Sequence, residues 1–187
     1  MKLLLICFTA LLVTFTVSAQ TPQAIIKIIQ DGKTYLPARK EIQLQRKPFV
    51  IEVTLQHIAG VYVKADFVDS MYQLKDNEPV PDLQILPGLA MAEEEFNKDK
   101  ELLIKPRSWM YWFYDPAQDW HRFDKDVKMP NPNTVIGTKT VQQFYIVKAK
   151  QTVKVEDVKE PLYLFFLTTS DVGLKELKRE KVKISWL

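Results

Sequence analysis

The chain has 187 residues, of which 26 are basic and 23 acidic, for a formal charge of +3, with one cysteine and five glycines. A balance this even leaves no electrostatic footprint for nucleic acid or for an anionic membrane surface. One cysteine rules out an internal disulfide framework, and so few glycines leave no loop to cradle a phosphate.

Residues 1–19 have the three-part layout of a secretory signal peptide. Lys2 is their only charge, Leu3 to Phe15 form an apolar run interrupted by Thr9 and Thr14, and Val17-Ser18-Ala19 supplies small residues for cleavage before Gln20. The run is shorter than the ~20 apolar residues that a retained anchor needs. Cys7 falls inside it, so the mature chain is cysteine-free and has no acyl-accepting cysteine at the cleavage point. The expected layout is a signal peptide over 1–19 and one domain over 20–187, large enough to bury its own core. The expected location is periplasmic or secreted, with no stable membrane insertion after signal cleavage.

Along the mature chain the dominant pattern is period two, the mark of strands with one buried face. Residues 24–29 are apolar but for Lys27 and meet Asp31-Gly32, a hairpin turn dipeptide, before Lys33-Thr34-Tyr35. Residues 41–45 alternate. In 49–57 the odd positions Phe49, Ile51, Val53 and Leu55 are apolar and His57 ends the series. After Ala59-Gly60, the residues Val61, Val63, Ala65 and Phe67 alternate with Tyr62, Lys64 and Asp66, which predicts a hairpin or a bulged strand around the break. Pro79, Pro81 and Pro87-Gly88 mark loops.

Ala90 to Lys100 contains helix formers, and Leu89, Phe96 and Leu103 recur every seven residues, as in a short helix near 90–100. The rival reading is a strand to Phe96, a turn at 97–100 and a strand at 101–104. Asn97 and Asp99 favour that hairpin, because their side chains bond nearby backbone. Further strands are expected at 109–114, 141–148, 152–156, 161–169 and 181–187, with Pro130-Asn131-Pro132-Asn133 as a turn. Roughly nine or ten strands at this spacing, without βαβ alternation or a fixed repeat, predict an all-β fold. The expectation is an immunoglobulin-like or jelly-roll β-sandwich of two antiparallel sheets.

The residue inventory points away from catalysis. The mature chain has no thiol and no Gly-x-Ser-x-Gly elbow, and Ser70, Ser108, Ser170 and Ser185 lie in ordinary strand or turn contexts. Only His57 and His121 can serve as an imidazole base, and His57 reads as a structural residue at a strand end. Two histidines without local spacing make no zinc site. Asp115, Asp119, Asp124 and Asp126 cluster oxygens but lack the glycine and the terminal glutamate of a calcium loop, so they read as turn-bonding aspartates. Glu93-Glu94-Glu95 is a solvated charge run. No cofactor and no metal is expected. The enzymatic alternative is a glycan-acting hydrolase whose paired carboxylates converge only in space.

One stretch stands out. Residues 107–124 hold Trp109, Trp112 and Trp120, three of the four tryptophans, together with Tyr111, Phe113, Tyr114 and Phe123. As a strand, 109–114 sends Trp109, Tyr111 and Phe113 to one face and Met110, Trp112 and Tyr114 to the other. One set fills the core. The other is either covered as well or forms an aromatic platform for a protein or a sugar. The loop at 115–124 follows directly, and loops on a rigid scaffold often carry contact residues. The sequence therefore predicts an exported, non-catalytic binding domain for a protein or glycan partner in the cell envelope. Its expected contact residues are Trp112, Tyr114, Trp120, His121 and Arg122. Arg122 has a structural alternative, a clasp to Asp115 or Asp124.

Overall fold

The computed structural model describes residues 21–37, 41–58, 60–70, 72–76, 78–80, 100–105, 110–115, 120–125, 127–169 and 176–187, with the backbone alone at 112, 115, 120, 176 and 177. Their strands are β1 (Gln23–Gln30), β2 (Lys33–Tyr35), β3 (Glu41–Leu44), β4 (Phe49–Gln56), β5 (Gly60–Asp66), β6 (Glu101–Ile104) and β7 (Tyr111–Asp115). There follow β8 (Trp120–His121), β9 (Lys128–Asn131), β10 (Thr134–Val141), β11 (Gln143–Ile146), β12 (Gln151–Lys154), β13 (Leu162–Thr169) and β14 (Glu176–Trp186). The signal segment and the disputed stretch before Lys100 lie outside the described residues, although its expected strand at 101–104 is present as β6.

The strands form an all-β sandwich. One sheet has the order β2-β1-β4-β10-β9 and is antiparallel throughout. The other runs β12-β11-β6-β5-β13-β14-β3, with β7 on β5 and β8 on β7. It is mixed, because β6 pairs parallel with β11 and β5, and β3 pairs parallel with β14.

Period two explains the first sheet. Ala24, Ile26 and Ile28 of β1 and Phe49, Ile51, Val53 and Leu55 of β4 are buried, and their sequence neighbours are not. Asp31 and Gly32 both take left-handed φ values, 51° and 73°, as a two-residue hairpin whose twist matches its strands requires. The facing sheet adds Val61, Val63, Leu164, Phe166, Val182 and Ile184 to the same core.

The break near 57–60 is neither a hairpin nor a bulge. β4 belongs to the first sheet and β5 to the second, so the chain crosses the core there. His57 makes the corner with φ 52°, and its N–H donates to the Asn133 carbonyl at 3.1 Å.

A second departure concerns β5, which is buried on both faces. Tyr62, Lys64, Phe165 and Leu167 lie on the side away from the inter-sheet core and are still covered. Residues 72–76 and 78–80 run over part of that side. The Tyr72 ring lies tilted at 60° and 5.4 Å from that of Tyr163, Arg179 donates to the carbonyls of Lys75 and Glu78, and Lys181 donates to that of Leu74.

Candidate functional site

The aromatic stretch begins as β7, which continues the second sheet beside β5. Val63 opposes Tyr111 and Tyr62 opposes Trp112, but Val61 opposes Tyr114, so Phe113 is the extra residue of a β-bulge. A bulge breaks strict alternation and re-aims side chains. Met110, Tyr111 and Phe113 are all buried, although alternation separates Met110 from the other two, so the chain is covered on both sides at the start of β7. Phe113 meets Phe123 edge-on at 5.1 Å and Phe166 at 6.3 Å.

β8 returns antiparallel, with His121 opposite Tyr114 and Trp120 opposite Asp115. Beyond it the chain crosses toward the first sheet. Arg122 N–H donates to the Phe113 carbonyl at 3.0 Å, and Asp124 N–H donates to that of Thr138 at 2.6 Å. Asp124 Oδ2 accepts from the Thr140 amide at 2.9 Å and its hydroxyl at 2.6 Å. This aspartate bonds an amide, as expected of the loop acids, but one 16 residues away. Phe123 fills the space above Gly137, where any β-carbon would collide with its ring.

The outcome is a three-ring stack. Phe123 is anchored in the core. Tyr114 lies on it at 6.1 Å and 28°, and His121 at 5.6 Å and 24°. His121 is exposed and Tyr114 half-buried. Of the five expected contact residues, the structure thus brings these two together at the surface. Trp112 and Trp120 are on the same two strands, but their side chains fall outside the described residues. Arg122 is buried, only 4% exposed, with its guanidinium 5.7 Å from the Tyr111 ring centre, which makes it a core cation and removes it from the outward-facing patch. The Asp124 part of the proposed clasp takes a different form, with Asp124 Oδ2 held by Thr140.

Arg122 has company that sequence reasoning missed. Lys105 Nζ lies 5.9 Å from the same ring centre. Lys64 Nζ bonds Asp66 at 2.9 Å and donates to the Lys105 carbonyl. Burial is the main reason that the Lys105 ammonium is pushed down to about 7, and the positive charges of Lys64 and Arg122 add to it. Burial also lowers Lys64, against the pull of Asp66, and raises the Tyr111 phenol. Lys64 and Asp66 alternate with apolar neighbours and so read as a solvent face. Only the covering of that face, a tertiary fact, reveals otherwise.

Asp119 and Asp126 of the acidic cluster lie outside the described residues. Among the described residues, no group of three His, Cys, Asp or Glu side chains is placed to hold a metal ion. No protein-family model and no curated protein matches the chain.

Proposed function

We propose that the chain is exported, loses its signal segment at Ala19, and works in the periplasm or beyond as a non-catalytic binding domain whose contact surface is the β7–β8 hairpin. The observation that carries this reading is the His121–Phe123–Tyr114 stack. An exposed imidazole and a half-exposed phenol ring are laid against a ring fixed in the core. Side chains held this way lose little rotamer freedom on binding, and aromatic anchors of this kind dominate contact energies. The partner is a protein or a glycan of the envelope. Export itself is supported by the signal-like segment alone.

Hydrolysis ranks lower. Asp76 and Glu180 share the lining of a groove of about 520 Å³, but each is ion-paired to a lysine of that groove. Lys181 reaches Asp76 at 4.0 Å, and Lys178 reaches Glu180 at 2.5 Å.

A photo-crosslinking residue at position 121, in cells exporting the protein, is expected to give a discrete adduct. The same residue at exposed Met129 is not. Trp112→Ala and Trp120→Ala should lower the adduct yield in a folded protein. Equal labelling from both positions, or unfolding of both tryptophan variants with no change in binding, returns the hairpin to a purely structural role.

A further inference from the structure

The first sheet carries a second, independent feature on the face turned away from the core. Gln23 opposes Gln56, Gln56 opposes Thr134, and Thr134 opposes Asn131. Opposed residues point to the same side of a sheet, so four adjacent strands set four neutral side chains in one row, of which Gln23 and Asn131 are exposed, Gln56 is half-buried and Thr134 is buried between them. The next row, Ala24, Leu55 and Val135, is the buried one, which fixes the polar row on the outer face. With His57 and Asn133 the row closes into a concavity of about 520 Å³. No carboxylate, ammonium or guanidinium group belongs to its described lining.

Backbone geometry holds the rim in place. His57 keeps its left-handed φ of 52° with its N–H on the Asn133 carbonyl, and the Asn133 N–H donates to Asn131 Oδ1 at 3.0 Å. A bulky residue persists in this conformation only where its surroundings hold it there. Among the described residues, no hydrogen bond engages the carboxamides of Gln23, Gln56 and Asn133, all three of which line the concavity.

We propose that this row binds a neutral oligosaccharide lying across the strands. Each carboxamide offers both donors and acceptors, which is what a sugar hydroxyl requires of its partner. Apart from the His57 imidazole, and the α-ammonium that cleavage after Ala19 leaves on Gln20 next to Thr21, the lining side chains are neutral hydroxyls and carboxamides. Neighbouring strands are ~4.8 Å apart, on the order of the length of one sugar ring, so successive strands meet successive sugar units. A peptide would instead take an open strand edge, where its backbone extends the ladder. This row crosses strand faces. The site is separate from the β7–β8 hairpin and stands or falls without it.

The test is an amide-resolved NMR titration of residues 20–187 with cellohexaose, maltohexaose, mannohexaose and xylohexaose. One hexaose should give saturable shifts centred on Gln23, Gln56, His57 and Asn133, with a dissociation constant on the order of 0.1–1 mM. Gln56→Ala with Asn133→Ala should weaken it by about fivefold or more, a drop of ~1 kcal/mol in binding free energy. The exposed Gln23→Ala serves if the double variant does not fold, and should weaken binding by about threefold. His121→Ala should leave it unchanged, which separates this site from the hairpin. No saturable shift with any hexaose at about 10 mM overturns the proposal. So do shifts centred on the hairpin, retained affinity in the variants, or equal shifts from a neutral Asn/Ser-rich peptide.

Discussion

Gly137 lies on β10 opposite Val53, on the face turned to the core, and the Phe123 ring occupies the space a side chain would need. Gly137→Ala is therefore expected to cost about 1–3 kcal/mol, the usual penalty for overpacking. Phe123→Ala should cost about 3–5 kcal/mol through the cavity it leaves. In the double variant the added methyl enters the vacated space, so the two losses should not add. Urea denaturation of the four proteins measures the coupling, and strict additivity would show that the ring and the glycine do not share this space. Lys105 carries a second residue-scale expectation. Its folded pKa of about 7 lies below its ordinary value, first because the ammonium is buried and then because of the positive charges of Lys64 and Arg122. Between pH 7 and 10 the unfolded chain consequently binds more protons than the folded one, and stability rises with pH by up to ~1.4 kcal/mol per unit. Lys64, lowered by burial, acts in the same direction. Lys105→Met should be more stable than the parent at pH 7 and should show a shallower rise to pH 9 in thermal melts. Parallel curves for the two proteins would remove the buried ammonium from the account.

At the scale of elements, the β7–β8 hairpin is attached to both sheets, to β5 through its ladder and to β10 through Asp124. Asp124→Ala removes both bonds to Thr140 and is expected to cost about 1.5–3 kcal/mol, the range for hydrogen bonds to a charged group. Because the strap also holds Phe123, the His121 and Tyr114 rings should lose their stacking, seen as chemical-shift changes in both. A destabilised protein with unmoved rings would mean that the core alone positions the stack. These elements also show what sequence could reveal. Asp31-Gly32 was legible because local chemistry alone fixes a two-residue turn. β1 and β4 were legible because one face meets solvent, and the all-β class followed. β10 was missed as a strand through 134–140, since Gly137 and Lys139 interrupt its buried face, and each answers to a partner distant in sequence: Phe123 above the glycine, and Ile51 opposite the lysine. Of the site, the aromatic density of 107–124 was visible. The bulge at Phe113 was not, because it depends on the register against β5, and neither was the burial of Arg122, which depends on what covers Tyr111.

The whole molecule is closed by its most distant pairings. β5, from Gly60 to Asp66, pairs with β13 a hundred residues later, and β3 finds the end of β14. The Leu187 N–H donates to the Leu44 carbonyl at 2.9 Å, and Trp186 sits 6.3 Å from Phe49 while its indole N–H bonds the Glu160 carbonyl at 2.7 Å. Val182 and Ile184 complete the core between these contacts. Such a topology must close long loops before any contact rewards it, so folding in milliseconds to seconds is expected. It also places the closing step on β14. Deleting residues 181–187 takes two buried aliphatic side chains from the core, strips β3 of its strand partner and bares the β13 edge from Leu162 to Phe165. Each loss alone is about 1–3 kcal/mol or more, and together they approach the whole stability of a domain this size. The truncated protein should therefore lose its cooperative melt and its near-ultraviolet circular dichroism, whereas removing residues 1–19 should leave both unchanged. A cooperative transition surviving the deletion would show that the antiparallel first sheet and β5–β13 hold the sandwich without its final strand.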